Sequence, residues 1–212
     1  MWNHEMETLP RAELEKLQGG RLRDVALRVY RNVPFYRSAF DRLGVAPDEI
    51  RGVEDLAKLP FTRKQDFRDQ YPFGLFAVPR EQVVRIHASS GTTGKPTVVG
   101  YTAEDIATWA EVCARSLAAA GAEPGDVFQN AYGYGLFTGG LGMHYGGERM
   151  GLAVVPVSGG NTERQLLLIR DFHPKILACT PSYALVLADA WSESGGGEHG
   201  IRSFLLGAEP WT

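Results

Sequence analysis

Apolar and polar positions in the second half of the chain follow the pattern of strands alternating with helices. Short apolar runs at 127–132, 152–157, 175–180 and 204–206 have the length and composition of buried strands. Between them the spacing predicts helices over about 102–120, 138–150, 161–172 and 181–191, the first with an apolar stripe through Ile106, Trp109 and Cys113. This alternation predicts an α/β fold with a doubly wound, largely parallel sheet.

The first part of the chain has a different pattern. Residues 1–60 are helical and charged, with a helix predicted over 21–31 that ends at Asn32-Val33-Pro34, and Thr62 is a candidate N-cap for a later segment. An aromatic, proline-rich connector follows at 71–79. We therefore predict an N-terminal helical segment with its connector over 1–80. The first part of an α/β domain follows over 81–212, with a last strand that ends near Leu206.

Composition narrows the class of protein. The 212 residues are 44% hydrophobic, with a net charge of −3 and two distant cysteines. A negative net charge does not indicate a protein that binds nucleic acid or an anionic membrane surface. No apolar run approaches the roughly 20 residues that span a bilayer. The polar, acidic N-terminus is unlike a signal peptide, and Cys113 and Cys179 fit reduced core positions. A cytoplasmic location is the expectation.

The stretch Ser89-Ser90-Gly91-Thr92-Thr93-Gly94-Lys95-Pro96 carries the strongest chemical signal. Glycines let successive N–H groups converge on an anion, hydroxyls donate further hydrogen bonds, and a lysine adds a positive charge. The spacing differs from a Walker A loop, because two residues separate Gly91 from Gly94 and Pro96 follows Lys95. The β-branched residues that come next predict a strand, so we expect a mobile phosphate loop between two strands.

A second unusual segment is rich in glycine and aromatic residues. Residues 132–146 contain six glycines, although each glycine costs about 1 kcal/mol relative to alanine inside a helix. Either a flat apolar ligand or tight helix–sheet packing would benefit from the missing side chains. We expect glycines 139, 140 and 142 to open space between helix and sheet, with Tyr134, Phe137 and His144 as walls.

Weaker signals lie after other predicted strands. Asn161 favours a helix cap over an anion site, and Gly207-Ala208-Glu209-Pro210 could border a planar ring and accept from an amine or a ribose. The sequence contains no G-x-S-x-G elbow and no H-E-x-x-H or paired-cysteine spacing, so no metal ligands are assigned.

Five motifs within 60–212 together resemble the phenylacetate–CoA ligases, which are acyl-adenylate-forming enzymes. The motifs are S-S-G-T-T-G-K-P, G-Y-G-L-F-T-G-G-L-G-M-H-Y-G, S-G-G-N-T-E-R-Q, T-P-S-Y and G-A-E-P-W-T. The resemblance implies that an aryl acid and Mg·ATP form an acyl-adenylate, from which coenzyme A displaces AMP. It assigns the ATP phosphates to the loop, with Lys95 as the catalytic residue. The nucleotide set that it implies comprises Ser89, Ser90, Gly91, Thr92, Thr93, Gly94, Lys95, Gly207, Ala208, Glu209 and Pro210, with Lys64 as a further candidate. The aryl-acid set comprises Tyr134, Phe137, Gly139, Gly140 and His144.

Such ligases continue well past the equivalent of Thr212, with a magnesium-binding block, a ribose-binding aspartate and a small domain that carries another lysine. We therefore expect an N-terminal portion that is inactive alone and that tends to self-associate through unpaired apolar surface. A homodimer is left open. Two alternatives are a non-catalytic nucleotide-binding or interaction module, and an aryl-acid adenylating enzyme that loads a carrier-protein thiol.

Overall fold

The computed structural model describes residues 1–89 and 94–210, which form two compact units. One unit comprises His4–Ala103, and the other comprises Glu104–Thr212 together with Met1–Asn3. Within the described residues, no helix is both long and apolar enough to cross a membrane.

The first unit is helical apart from one hairpin. Its α-helices are α1 (His4–Glu7), α2 (Arg11–Asn32), α3 (Pro34–Leu43) and α4 (Lys64–Asp69), with 3₁₀ turns at Pro47–Glu49, Val53–Lys58 and Arg80–Gln82. Ala26, Phe40 and Ile50 form its buried core. As predicted, α2 ends at Asn32 because Pro34 follows and starts the next helix. The proposed Thr62 cap is wrong: α4 is preceded by Arg63, whose N–H donates to Asp66 Oδ2 at 2.6 Å, while Thr62 Oγ1 lies 2.8 Å from Tyr36 Oη.

The hairpin consists of β1 (Arg85–Ala88) and β2 (Val98–Tyr101), which pair antiparallel with Arg85 opposite Tyr101 and Ala88 opposite Val98. The predicted strand–loop–strand arrangement is therefore present. The hairpin belongs to the helical unit, whereas the sequence divides the chain at residue 80. The physical reason is local packing: a Cβ on Gly100 would meet the Phe76 ring at 2.6 Å, so the connector lies directly on β2.

The second unit has the predicted α/β architecture. Its elements are α5 (Ala103–Ala119), β3 (Val127–Asn130), α6 (Gly139–Met150), β4 (Ala153–Val155), α7 (Thr162–Phe172), β5 (Ile176–Cys179), α8 (Pro181–Glu193) and β6 (Ser203–Leu206). The strands pair in parallel in the order β4-β3-β5-β6.

Both faces of this sheet are covered at the central strand β5, which explains why that strand is continuously apolar. All four residues of β5 are buried, and they alternate between two cores. Ile176 and Ala178 pack with Phe128 and the α5 residues Ala114 and Leu117. Leu177 and Cys179 pack on the opposite face, with Leu166 and Ile169 of α7 and Leu187 of α8. A sheet buried on both faces uses apolar residues at every position rather than every second one.

Strand order locates the crevice where ligands bind in such sheets. The connection after β3 leads to β4 on one side, whereas the connection after β5 leads to β6 on the other side. At such a reversal the two loops diverge and leave a crevice beyond the carboxyl ends of the adjacent strands. In this chain the crevice lies beyond Asn130 and Cys179.

Candidate ligand site at the carboxyl edge of the sheet

The loop after β3 is anchored by a buried amide. Asn130, which is fully buried, donates from Nδ2 to Tyr134 Oη at 2.7 Å and to Gly140 O at 2.8 Å, while its Oδ1 accepts from Tyr132 N at 3.3 Å. Ser158 after β4 adds a further bond, because its Oγ accepts from Tyr134 N at 3.3 Å. The loop that carries the predicted aryl-acid residues is therefore fixed at both ends.

Tyr132 is a residue of this edge that the sequence alone did not single out. Its hydroxyl donates to Leu205 O at 3.4 Å, so the side chain extends from the end of β3 to the end of β6. A Cβ on Gly207 would lie 3.3 Å from the same hydroxyl oxygen. Burial raises the pKa of Tyr132, and its hydroxyl stays protonated at neutral pH. Tyr132 thus links the two segments that the sequence assigns to the acid and to adenosine.

Two aromatic rings converge over one of the predicted glycines. A Cβ on Gly139 would meet the Phe137 ring at 3.3 Å and Tyr132 Cδ1 at 3.8 Å. Phe137 is 58% exposed. The rings provide an apolar, accessible surface at the mouth of the crevice.

The expectation that Gly140 and Gly142 hold space open is corrected by their surroundings. A Cβ on Gly140 would lie 2.4 Å from Gly133 O, and one on Gly142 would lie 2.5 Å from Trp109 Nε1. Protein atoms therefore fill the space, because α6 approaches the loop and α5 closely. Whether Gly139 and Gly140 border the acid through their backbone stays a prediction, as it does for Tyr134, Phe137 and His144.

The segment after β6 is held by a carboxylate. Glu209 accepts from Ser182 N at 3.0 Å and from Ser182 Oγ at 2.9 Å, at the first turn of α8. These hydrogen bonds lower the pKa of Glu209. The preceding residue, Ala208, has φ +72°, a left-handed conformation that alanine rarely adopts. The clamp holds Gly207–Pro210 at the sheet edge, and a direct contact of Glu209 with adenosine stays a prediction.

The loop after β4 is capped, as the sequence favours. Asn161 Oδ1 accepts from Arg164 N at 3.2 Å, which confirms its role as the N-cap of α7. The fully buried Gln165 donates to Ser158 O at 2.7 Å and orders the same loop from inside.

The hairpin in the other unit presents the start and the end of the phosphate loop. Ser90, Gly91, Thr92 and Thr93 lie outside the described residues. Ser89 closes the loop base, since its N–H donates to Thr97 O and its Oγ accepts from Thr97 N, both at 3.0 Å. Lys95 is exposed, and its ammonium lies 5.4 Å from the centroid of the Tyr71 ring, within the range of a cation–π contact. Lys64 is exposed at the first residue of α4. The nucleotide roles of Ser89, Gly94, Lys95 and Lys64 stay predictions.

No metal centre is formed by protein ligands in 1–89 and 94–210: no group of three or more His, Cys, Asp or Glu side chains is placed to hold an ion. The two cysteines are buried and unpaired as thiols, and burial raises the pKa of Cys179 to about 11. Thiols of this kind are packing residues.

Comparison with known proteins shows which enzymes this chain is similar to. The chain is 60% identical over its whole length to a phenylacetate–coenzyme A ligase from Thermus thermophilus, and 57% identical over 98% of its length to one from Escherichia coli. It spans about half of these relatives, 48% of each.

No protein-family model matches the chain. Among solved structures, a 2-hydroxyisobutyryl-CoA ligase in complex with 2-HIB-AMP and CoA superposes with a TM-score of 0.91 at 31% identity, over 97% of this chain and 46% of that one. Sequence identity and fold agree: over its whole length the chain is similar to the phenylacetate–coenzyme A ligases, and it matches about half the length of each.

Proposed function

We propose that this chain provides the phosphate loop and the acid-binding wall of an ATP-dependent ligase that joins phenylacetate to coenzyme A. The observation that carries the proposal is the anchored aromatic surface of Tyr132 and Phe137, which lies at the switch point of the sheet in a chain 60% identical to a phenylacetate–coenzyme A ligase. A ring acid fits such a surface because stacked and edge contacts between aromatic rings are favourable.

The proposed chemistry is activation followed by thioester formation. The acid's carboxylate attacks the α-phosphorus of ATP, and pyrophosphate leaves; the CoA thiolate then attacks the acyl carbon, and AMP leaves. The first step is needed because a carboxylate is a poor electrophile and adenylation gives its acyl carbon a good leaving group. In that step catalysis consists mainly of positioning the reactants and of stabilising charge on the phosphoryl oxygens. Lys95 and the loop N–H groups are suited to that task, and Mg²⁺ would arrive with ATP.

The solved relative in complex with CoA supports CoA as the thiol acceptor over a carrier protein. A cytoplasmic location and a homodimeric assembly are part of the same proposal. The first is supported by two free, buried thiols. The second is supported by the apolar side chains exposed on α8 and β6, where Leu185 is 70% and Phe204 is 49% exposed.

Nucleotide binding by the 212-residue chain tests the first half of the proposal. Titration with Mg·ATP should give saturable binding, and Lys95→Ala should weaken it at least about ten-fold, because a lysine–phosphate bond is charge-assisted. Lys16→Ala, an exposed lysine of the same unit, removes the same charge and should change the affinity by less than about two-fold. Equal affinities of the two variants would refute the assignment of Lys95.

Turnover tests the second half. A hybrid in which this chain replaces the matching half of the Thermus thermophilus relative should release AMP and form phenylacetyl-CoA, whereas the 212-residue chain alone should release none. Carrier protein should not replace CoA as the acceptor. A hybrid that unfolds cooperatively on heating and yet produces no AMP with phenylacetate would contradict the proposed substrate.

A further inference from the structure

A chain of hydrogen bonds joins two of the predicted aryl-acid residues, Tyr134 and His144, and ends on Glu148, which lies outside every motif named above. Tyr134 Oη lies 3.3 Å from His144 Nδ1, and His144 Nε2 lies 3.1 Å from Glu148 Oε1. At its inner end, the same hydroxyl accepts from the buried Asn130. His144 and Glu148 lie one turn apart on α6, and the Glu148 side chain is 54% exposed.

The backbone fixes the direction of the first bond. Gly140 O can only accept and Tyr132 N can only donate, so the Asn130 side chain must present its NH₂ group to Gly140 and its oxygen to Tyr132. The second N–H of that NH₂ group therefore donates to Tyr134 Oη. The single proton of the hydroxyl is left to donate elsewhere.

The Glu148 carboxylate, which can only accept, sets the direction of the remaining bonds. With a neutral imidazole, the Tyr134 proton donates to a bare His144 Nδ1, and the ring proton resides on Nε2, where it donates to Glu148 Oε1. The opposite tautomer is disfavoured because it would place an unprotonated Nε2 against a carboxylate oxygen, and two acceptors cannot form a hydrogen bond. The Tyr134 hydroxyl is itself a stable donor, because burial raises its pKa to about 12. The rings of Tyr134 and His144 meet edge to face, with centroids 5.7 Å apart.

We propose that Glu148 is a positioning residue that acts through His144: it selects the Nε2–H tautomer, which turns the Tyr134 hydroxyl proton inward and fixes that ring. The consequence for acid recognition rests on the proposed function, since it requires the acid to lie against Tyr134. A fixed ring whose proton is already donated presents an apolar wall and offers no donor to a ligand, so the site favours acids with unsubstituted apolar rings over those with acceptor groups on the ring.

The tautomer can be read directly in the 212-residue chain. Long-range ¹H–¹⁵N correlation on ¹⁵N-histidine protein separates Nε2–H, Nδ1–H and imidazolium forms, and His144→Gln identifies the signal among the five histidines. We expect Nε2–H in the wild type and in Glu148→Gln, whose side-chain oxygen still accepts. Glu148→Ala should give a mixture of tautomers, whereas Glu193→Ala, an exposed glutamate at the end of α8, should leave the signal unchanged.

Phenylacetate titration of the same proteins tests the consequence. Glu148→Ala should weaken binding about five-fold and Glu148→Gln by less than two-fold, as expected for loss or retention of one hydrogen bond. An Nδ1–H or imidazolium ring in the wild type, or a tautomer unaffected by Glu148→Ala, overturns the positioning role. If the tautomers behave as expected but the wild-type chain binds no phenylacetate, the proposed function fails and the hydrogen-bond chain stands.

Discussion

Close packing of α6 on α5 gives a sharp prediction about stability. Gly142 and Gly146 lie one turn apart on α6 and face α5. A Cβ on Gly146 would lie 2.4 Å from Cys113 Cβ, 2.9 Å from Cys113 C and 3.0 Å from Ala114 N. Two of these three atoms belong to the α5 backbone, so Gly146→Ala can be accommodated only if one helix moves.

Two opposing effects decide whether Gly146→Ala raises or lowers the free energy of unfolding. Alanine is favoured over glycine in a helix interior by about 1 kcal/mol. Overpacking a filled site costs about 1–3 kcal/mol, and contacts with backbone place this site in the upper part of that range. We therefore expect Gly146→Ala to lower the free energy of unfolding by about 1–2 kcal/mol. Gly142→Ala should cost less, because the three atoms nearest to its Cβ all belong to a side chain, the Trp109 indole, rather than to the α5 backbone.

Urea unfolding followed by tryptophan fluorescence is the appropriate assay. All four tryptophans lie in 1–3 or 104–212, so the signal reports on the unit that contains the substitution. Gly135→Ala is the matched control from the same glycine-rich segment, since nothing lies within 4 Å of a Cβ there, and its effect should stay within about 0.5 kcal/mol. If Gly146→Ala proves as stable as the wild type or more so, α6 is not held against α5 in this way.

Two further predictions concern the other unit. Tyr71→Leu removes the ring beside the Lys95 ammonium, a contact that would compete with phosphate binding, so the affinity for Mg·ATP should rise about two- to five-fold, the factor expected for an exposed cation–π contact. Tyr71→Phe keeps the ring and should leave the affinity unchanged. A loss of affinity in the leucine variant would show instead that Tyr71 assists binding. Asp55 is hydrogen-bonded by Lys58 and by Arg51 N, which lowers its pKa from 3.8 to about 2. Because the pKa of Asp55 is lower in the folded than in the unfolded chain, Asp55 stabilises this unit fully above its unfolded pKa, and that contribution is lost as pH falls towards 2. Urea midpoints followed by far-UV circular dichroism should therefore decline less steeply with acid in Asp55→Asn than in the wild type. Parallel pH profiles of the two proteins would contradict this.

The elements of the α/β unit are predictable because their signals are local. Pro181 and Asn161 mark helix starts through their own backbone preferences, and the short apolar runs predict the parallel strands, most clearly the fully buried β5. The hairpin around the phosphate loop is likewise predictable from the β-branched residues after Pro96.

Residues that depend on partners far along the chain are not predictable in this way. The pattern of glycines in α6 is visible, but what fills their missing side chains is Trp109 and Cys113 of another helix. Glu148 and His144 are only four residues apart on α6, but their spacing does not show that the same imidazole also contacts Tyr134 in the preceding loop. Tyr132 at the end of β3 reaches Leu205 O of β6 across the one intervening strand, β5, and 73 residues separate the two along the chain, so no short-range pattern encodes this contact.

The attachment of the first three residues to the α/β unit has a consequence for how the chain is made. Trp2 Nε1 and Asn3 Nδ2 donate to the two carboxylate oxygens of Glu111, which Arg149 also pairs at 2.6 Å. During synthesis these first residues emerge long before Glu111 does, because 109 positions separate Trp2 from its partner. Trp2 therefore cannot make this hydrogen bond until about half of the 212 residues have left the ribosome, and a tag fused to Met1 would be carried directly onto this junction.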